Sequence, residues 1–196
     1  MIKELLAKVS AKQDLTFDEA KQAIDEIMSG EVSEAVISSF LTALAMKGET
    51  EEEIAGAATG MRSKALVKIG VTDAMVVYGT DCLDEISASA ETKVAEVRGE
   101  NITYYTVKPE DFGFERVNKA DLVGGTPEEN AKITTAVLQG KGTKAQNTAV
   151  ALNAGAAIYA GELGITLKDA VKKAENIISS GEGYKILEGF VKVTNE

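Results

Sequence analysis

Two adjacent carboxylates, Asp84 and Glu85, have the types and spacing to do chemistry. The short apolar run Ala74 to Tyr78 reads as a buried strand and Gly79 to Leu83 as the loop leaving it, which delivers the pair to the strand's carboxyl end. In α/β proteins ligands usually sit there. Neighbouring acids can share a hard cation such as Mg²⁺, which recruits one or two carboxylates together with substrate phosphates. They can equally be solvated loop charges, and the residue types alone leave both readings open.

The remaining chemistry-bearing residues say less. Gly124-Gly125-Thr126 precedes a helix start whose amides could bind an anion, yet Pro127 removes one donor and Glu128 and Glu129 repel negative charge, so turn and cap is the plainer reading. Lys141-Gly142-Thr143-Lys144 lacks P-loop spacing and reads as a connector. Cys82 has no electropositive surroundings to lower its pKa and is read as a small packing residue. The chain has no histidine, so the usual near-neutral base and the usual zinc ligand are both missing. Acid–base work would fall to carboxylates, lysines or substrate groups.

A chain of 196 residues is long enough for one domain or for a small domain joined to a larger one. Its composition, 44% hydrophobic and 27% charged, is that of a folded globular protein. A formal net charge of −10 argues against general nucleic-acid or anionic-membrane binding, since both need a basic face. Phosphate-bearing ligands would have to be met by local cations, a metal or helix N-termini. One cysteine excludes an intrachain disulfide, and with no signal-like or membrane-length apolar run the default expectation is a cytoplasmic protein.

The elements that must position the acidic pair are mostly helical. Ile2, Leu5, Leu6 and Val9 mark a short first helix. Thr16 with Glu19 forms a capping box for a second, ending at Ser29-Gly30, and a third runs from Ser33 to Gly48. Thr50 with Glu53 repeats the box for a fourth, through Met61. From Lys64 to Val71 the periodicity turns strand-like with almost no linker. Beyond the acidic loop, Thr92 to Arg98 and Ile102 to Val107 alternate around the turn Gly99-Glu100-Asn101 and predict a hairpin. Phe112 and Phe114 are candidate anchors of the connecting stretch. Helices then follow over 127–139, 148–159, 166–179 and 184–190, the second of them rich in small residues and read as the buried centre of this half. The fold class is a helix-rich α/β: an N-terminal helical bundle, residues 1–66, followed over 67–196 by a reduced sheet of one strand plus a hairpin packed with helices.

Several stretches in order resemble anthranilate phosphoribosyltransferase of tryptophan biosynthesis. Ala74-Met-Val-Val-Tyr-Gly-Thr-Asp-Cys-Leu-Asp-Glu-Ile-Ser87 resembles its late strand and acidic loop. Asp121-Leu-Val-Gly-Gly125, Glu128-Glu-Asn-Ala131, Ala149-Val-Ala-Leu-Asn-Ala154 and Ser180-Gly-Glu-Gly-Tyr184 resemble its C-terminal part. Phe40-Leu-Thr-Ala-Leu-Ala-Met-Lys-Gly48 and Met61-Arg-Ser-Lys-Ala65 resemble its small helical domain. The family's Gly-Thr-Gly-Gly-Asp, Lys-His-Gly-Asn-Arg and Asn-x-Ser-Thr segments and its arginine-bearing helix are missing from this sequence. The chain passes from Lys64-Ala65 straight to Gly70-Val71.

The resemblance implies a phosphoribosyltransferase, a glycosyltransferase moving phosphoribose from phosphoribosyl pyrophosphate to anthranilate, of which residues 67–196 are a remnant. It implies that Asp84 and Glu85 hold Mg²⁺, whereas no residue is carried over as catalytic or as binding an organic cofactor. Tyr78 stands where histidine is common, Cys82 where glycine is common and Gln146-Asn147 where Arg-Asp is usual. Without the diphosphate- and anthranilate-binding segments, the chain is expected to be inactive alone. The alternative is a non-enzymatic scaffold or homo-oligomerisation module, a dimer for example, because loss of the centre should uncover apolar surface. A nucleoside-phosphorylase relative is a third reading.

Overall fold

The computed structural model describes residues 1–195. Four helices come first: α1 (Ile2–Ser10), α2 (Phe17–Ser29), α3 (Glu34–Lys47) and α4 (Glu51–Lys68). Both expected capping boxes form, with Thr16 accepting from the Glu19 amide and Thr50 from the Glu53 amide while each glutamate returns to the cap's own amide. Gly30 ends α2 in the left-handed conformation at φ 80°. Ile2, Leu5, Val9, Leu15, Ala20 and Phe40 form the core of this bundle. Where α2 meets α4, a Cβ on Gly56 would lie 2.2 Å from the Phe17 carbonyl oxygen, so only glycine permits that approach.

The strand-like reading of 64–71 is corrected. Helix α4 continues through Lys68, and Gly70 at φ 83° breaks the chain afterwards. Ala65, Leu66 and Val67 form a short apolar run, which periodicity cannot assign to strand or helix, and the well-capped helix already in progress extends through it.

Three strands follow, β1 (Asp73–Gly79), β2 (Thr92–Arg98) and β3 (Asn101–Val107), in the order β1-β2-β3. Thr80 donates to Glu91 at one end of the first pair and Gly99 to Thr72 at the other, so β1 and β2 run antiparallel. Central β2 buries Val94, Ala95 and Val97. The hairpin turn Gly99-Glu100 has its glycine at φ 59°, the positive value that two-residue hairpin turns require at their first position.

After two short 3-10 turns, Pro109–Phe112 and Lys119–Leu122, come α5 (Pro127–Leu138), α6 (Lys144–Gly161), α7 (Leu167–Ser180) and α8 (Glu182–Thr194). Helix α6 starts four residues before its sequence reading, because Thr143 and Gln146 form a further capping box. Helix α8 also outruns its expected end. In this half Val137, Ala151 and Ile178 are buried together with Phe114 packed on them, as its anchoring role requires. A Cβ on Gly155 would lie 2.5 Å from the Val171 Cα, which marks how closely α6 and α7 approach.

By contacts the chain divides into one unit of residues 1–78 and 94–104 and another of 79–93 and 105–196. The acidic loop and helices α5 to α8 fall in the second. Position 66/67 lies within α4, and the strands are shared out along their length.

Candidate metal-binding loop

The acidic pair lies in the 80–91 connection between β1 and β2. This connection joins antiparallel neighbours, so the rule that places ligands at the carboxyl ends of open parallel sheets does not explain its position. What shapes it is a set of local ties. The Gly79 amide donates to the Leu83 carbonyl at 2.8 Å and Cys82 to the Gly79 carbonyl at 2.9 Å. Gly79 has no room for a side chain, since a Cβ there would sit 2.8 Å from Asp81 Oδ1.

Asp81 is the hub of the loop. Its Oδ2 accepts from Ser87 Oγ at 2.8 Å and from Ser89 Oγ, while Lys119 Nζ donates to its carbonyl. Burial works to raise the Asp81 pKa, but the serine hydrogen bonds and the nearby Lys119 charge outweigh it and hold the carboxyl below its ordinary value. Its Oδ1 is buried with no partner among the described residues. Sequence reading passed over Asp81 because its significance depends on Ser87 and Ser89, which only the folded loop brings to it.

Asp84 and Glu85 themselves are exposed, and neither carboxylate has a hydrogen bond or ion pair to another described residue. Partial burial, the Asp84 charge and the Asp81 charge together push the Glu85 pKa above its ordinary value. No three acids, cysteines or histidines converge on a point among the described residues. The donor set is therefore two free oxygen-bearing side chains in a region of excess negative charge. It fits a hard cation whose other positions are filled by water and phosphate oxygens, and does not make a complete protein cage.

Glu85 also lines a cleft of about 390 Å³ with Leu122, Val137, Val150 and Asn153. Cys82, read as a packing residue, is exposed instead, and its φ of 66° fits the loop turn at that point rather than a core. The glycine segment before α5 is a cap, as read. The Gly125 amide is taken by Asn130 Oδ1 and the Thr126 amide by Glu129, leaving those donors engaged.

Residues 3–65 match the glycosyl transferase family, helical bundle domain, and residues 54–184 match the glycosyl transferase family, a/b domain. The anthranilate phosphoribosyltransferase of Methanobrevibacter smithii is 47% identical over 133 residues, which cover 67% of this chain and 39% of that protein. The chain belongs to the anthranilate phosphoribosyltransferase family. The Lachnoclostridium phytofermentans member is 28% identical over 336 residues, covering 100% of this chain and 99% of that protein. An alignment that long against a chain of 196 residues leaves a large internal part of the relative unmatched.

Among solved structures, the Saccharomyces cerevisiae anthranilate phosphoribosyltransferase in complex with 4-fluoroanthranilate is 26% identical with a TM-score of 0.60, covering 73% of this chain and 40% of that one. The same yeast protein in complex with PRPP and Mg is 20% identical with a TM-score of 0.62, covering 81% and 51%. The chain spans about 39% of the length of the M. smithii relative.

Proposed function

We propose that this chain is a reduced anthranilate phosphoribosyltransferase that keeps the metal-side half of a phosphoribosyl-pyrophosphate site and does not turn over by itself. In this reading residues 1–66 are the family's helical domain and residues 67–196 the remnant of its α/β domain. The observation that carries it is the match of both ends of a family member around an unmatched interior, with the acidic loop kept. The join is short, for α4 ends at Lys68 and β1 begins at Asp73.

Asp84 and Glu85 would hold Mg²⁺ through their free carboxylates, with diphosphate oxygens completing the coordination. When bound, the ion neutralises charge on the diphosphate leaving group. The carboxylates orient the ion, and the ties around Asp81 keep the loop that bears them in shape. Support comes from the excess negative charge at Glu85 and from the yeast relative solved with PRPP and Mg. Anthranilate is the acceptor this reading assigns, in line with the yeast complex with its fluorinated analogue. The protein acts in the cytoplasm as a homo-oligomer, and Leu41 and Met46 on α3 are exposed apolar residues available to a second copy.

Calorimetric titration of chelator-stripped protein with Mg²⁺ and phosphoribosyl pyrophosphate together tests the proposal. Binding that disappears in Asp84→Asn with Glu85→Gln is expected. A flat trace for the unaltered protein would leave a scaffold without a site.

A further inference from the structure

Asn153 lies at the middle of α6, half-buried, and 67 residues along the chain from Ile86. Its side-chain amide meets the Ile86 backbone twice. The Ile86 N–H donates to Asn153 Oδ1 at 2.9 Å, and Asn153 Nδ2 donates to the Ile86 carbonyl at 3.0 Å. A third bond, from Nδ2 to the Ala149 carbonyl at 3.0 Å, ties the amide to its own helix. Only one orientation of the amide satisfies all three, because exchanging its oxygen and nitrogen would set donor against donor and acceptor against acceptor.

Ile86 is the residue directly after the acidic pair, and its side chain is 2% exposed. On its other side the Ser87 amide is held by Thr92 Oγ1 at 2.9 Å, and Ser87 Oγ by Asp81. The backbone beyond Glu85 is thus fixed while the two carboxylates stay free. A loop built this way presents its charges without spending their hydrogen-bonding capacity.

We propose that Asn153 is a positioning residue for the metal loop, acting through the Ile86 backbone to hold Asp84 and Glu85 at the spacing a divalent cation and a diphosphate require. The inference rests on the reading of that pair as metal ligands. Asn153 touches neither metal nor substrate. Its part is to remove the loop's freedom before the ion arrives, the task commonly performed by groups behind a metal's ligands, whose loss typically weakens binding about 10- to 100-fold. Asn153→Leu would remove all three bonds, the two to Ile86 among them. Aspartate would keep the acceptor for the Ile86 N–H but set a carboxylate oxygen against the Ile86 carbonyl.

The test uses Mn²⁺ as a paramagnetic probe, titrated in the presence of phosphoribosyl pyrophosphate, alongside amide hydrogen exchange at Ile86. Asn153→Leu and Asn153→Asp are compared with Asn147→Leu. Asn147 is an asparagine of the same helix that ties the Gly142 carbonyl instead of the acidic loop, so it matches the loss of a side-chain amide. Expected are Mn²⁺ affinity lowered about tenfold or more in Asn153→Leu, a smaller loss in Asn153→Asp, no change in Asn147→Leu, and faster exchange at Ile86 only in the position-153 variants. Unchanged affinity in Asn153→Leu overturns the inference whatever the exchange shows, and so does an equal loss in Asn147→Leu. If the unaltered protein binds no Mn²⁺, the metal reading fails. Exchange then decides the role of Asn153 by itself, since Ile86 protection equal in all variants overturns its hold on the loop.

Discussion

Glu53 is 1% exposed, an unusual place for a charge. One carboxylate oxygen accepts from the Leu15 amide at 2.8 Å, while the other takes the Thr50 amide at 2.7 Å and Lys47 Nζ at 3.0 Å. Burial works to raise its pKa. The two backbone amides and Lys47 outweigh that and hold the carboxyl below its ordinary value of 4.5. Since the folded pKa lies below the unfolded one, the stabilisation is complete at neutral pH and is lost as pH falls from about 4.5 through the lowered folded value. Glu53→Ala leaves the Leu15 and Thr50 amides without their acceptor, while Lys47 keeps Asp14 and the Gly48 carbonyl, and a cost of about 1 to 3 kcal/mol is expected for a buried amide left unsatisfied. Denaturant unfolding at pH 7 and at pH 3 checks both parts, with the gap between variant and unaltered protein narrowing at the acid end. The sequence shows Glu53 as half of a capping box. Its bond to Leu15 was not legible, because it joins residues 38 apart that meet only when α4 packs beside the α1–α2 connection.

At the scale of elements, the capping signals at Thr16, Thr50 and Thr126 identify helix starts because each signal is local, a side chain reaching an amide three residues on. Thr143-x-x-Gln146 carries the same signal, hidden by reading its glycine and lysines as a connector. The hairpin was legible from alternation and its turn. Less legible were the end of α4, where apolar residues suit either helix or strand, and the loop geometry, which depends on Asn153 and Asp81 finding distant partners. Small residues in α6 suggested close packing, and Gly155 against Val171 supplies it. Gly155→Ala should force α6 and α7 apart and destabilise by about 1 to 3 kcal/mol. Gly161, near the end of the same helix, faces open space, so Gly161→Ala should be neutral or stabilising by up to about 1 kcal/mol. Thermal unfolding of the two variants separates the effects, and equal stabilisation of both would show that helix propensity rather than the contact at Gly155 governs them.

For the whole molecule, charge and architecture point the same way. Phosphoribosyl transfer needs a polyanion gripped and aligned while a nucleophile attacks, and orientation alone can supply about 7 to 11 kcal/mol of the barrier. This chain carries a net charge of −10, so attraction over distance does not bring the polyanion in. Nor do most of its helix starts substitute for a phosphate cradle. Those of α2, α4, α5, α6 and α7 engage amides with their own caps. The glycines at 124 and 125 stand before one of these capped starts, and the acidic loop offers acceptors rather than donors. On the proposed reading, a divalent cation held by Asp84 and Glu85 would be the main attraction for the diphosphate, and it would grip a single side of it. Phosphoribosyl pyrophosphate should accordingly bind only when Mg²⁺ is present, and purified protein given both with anthranilate should leave anthranilate fluorescence undiminished over hours. Fluorescence loss that vanishes in Asp84→Asn would overturn this, because it would mean that half a site, held by one ion, aligns the substrates well enough for transfer.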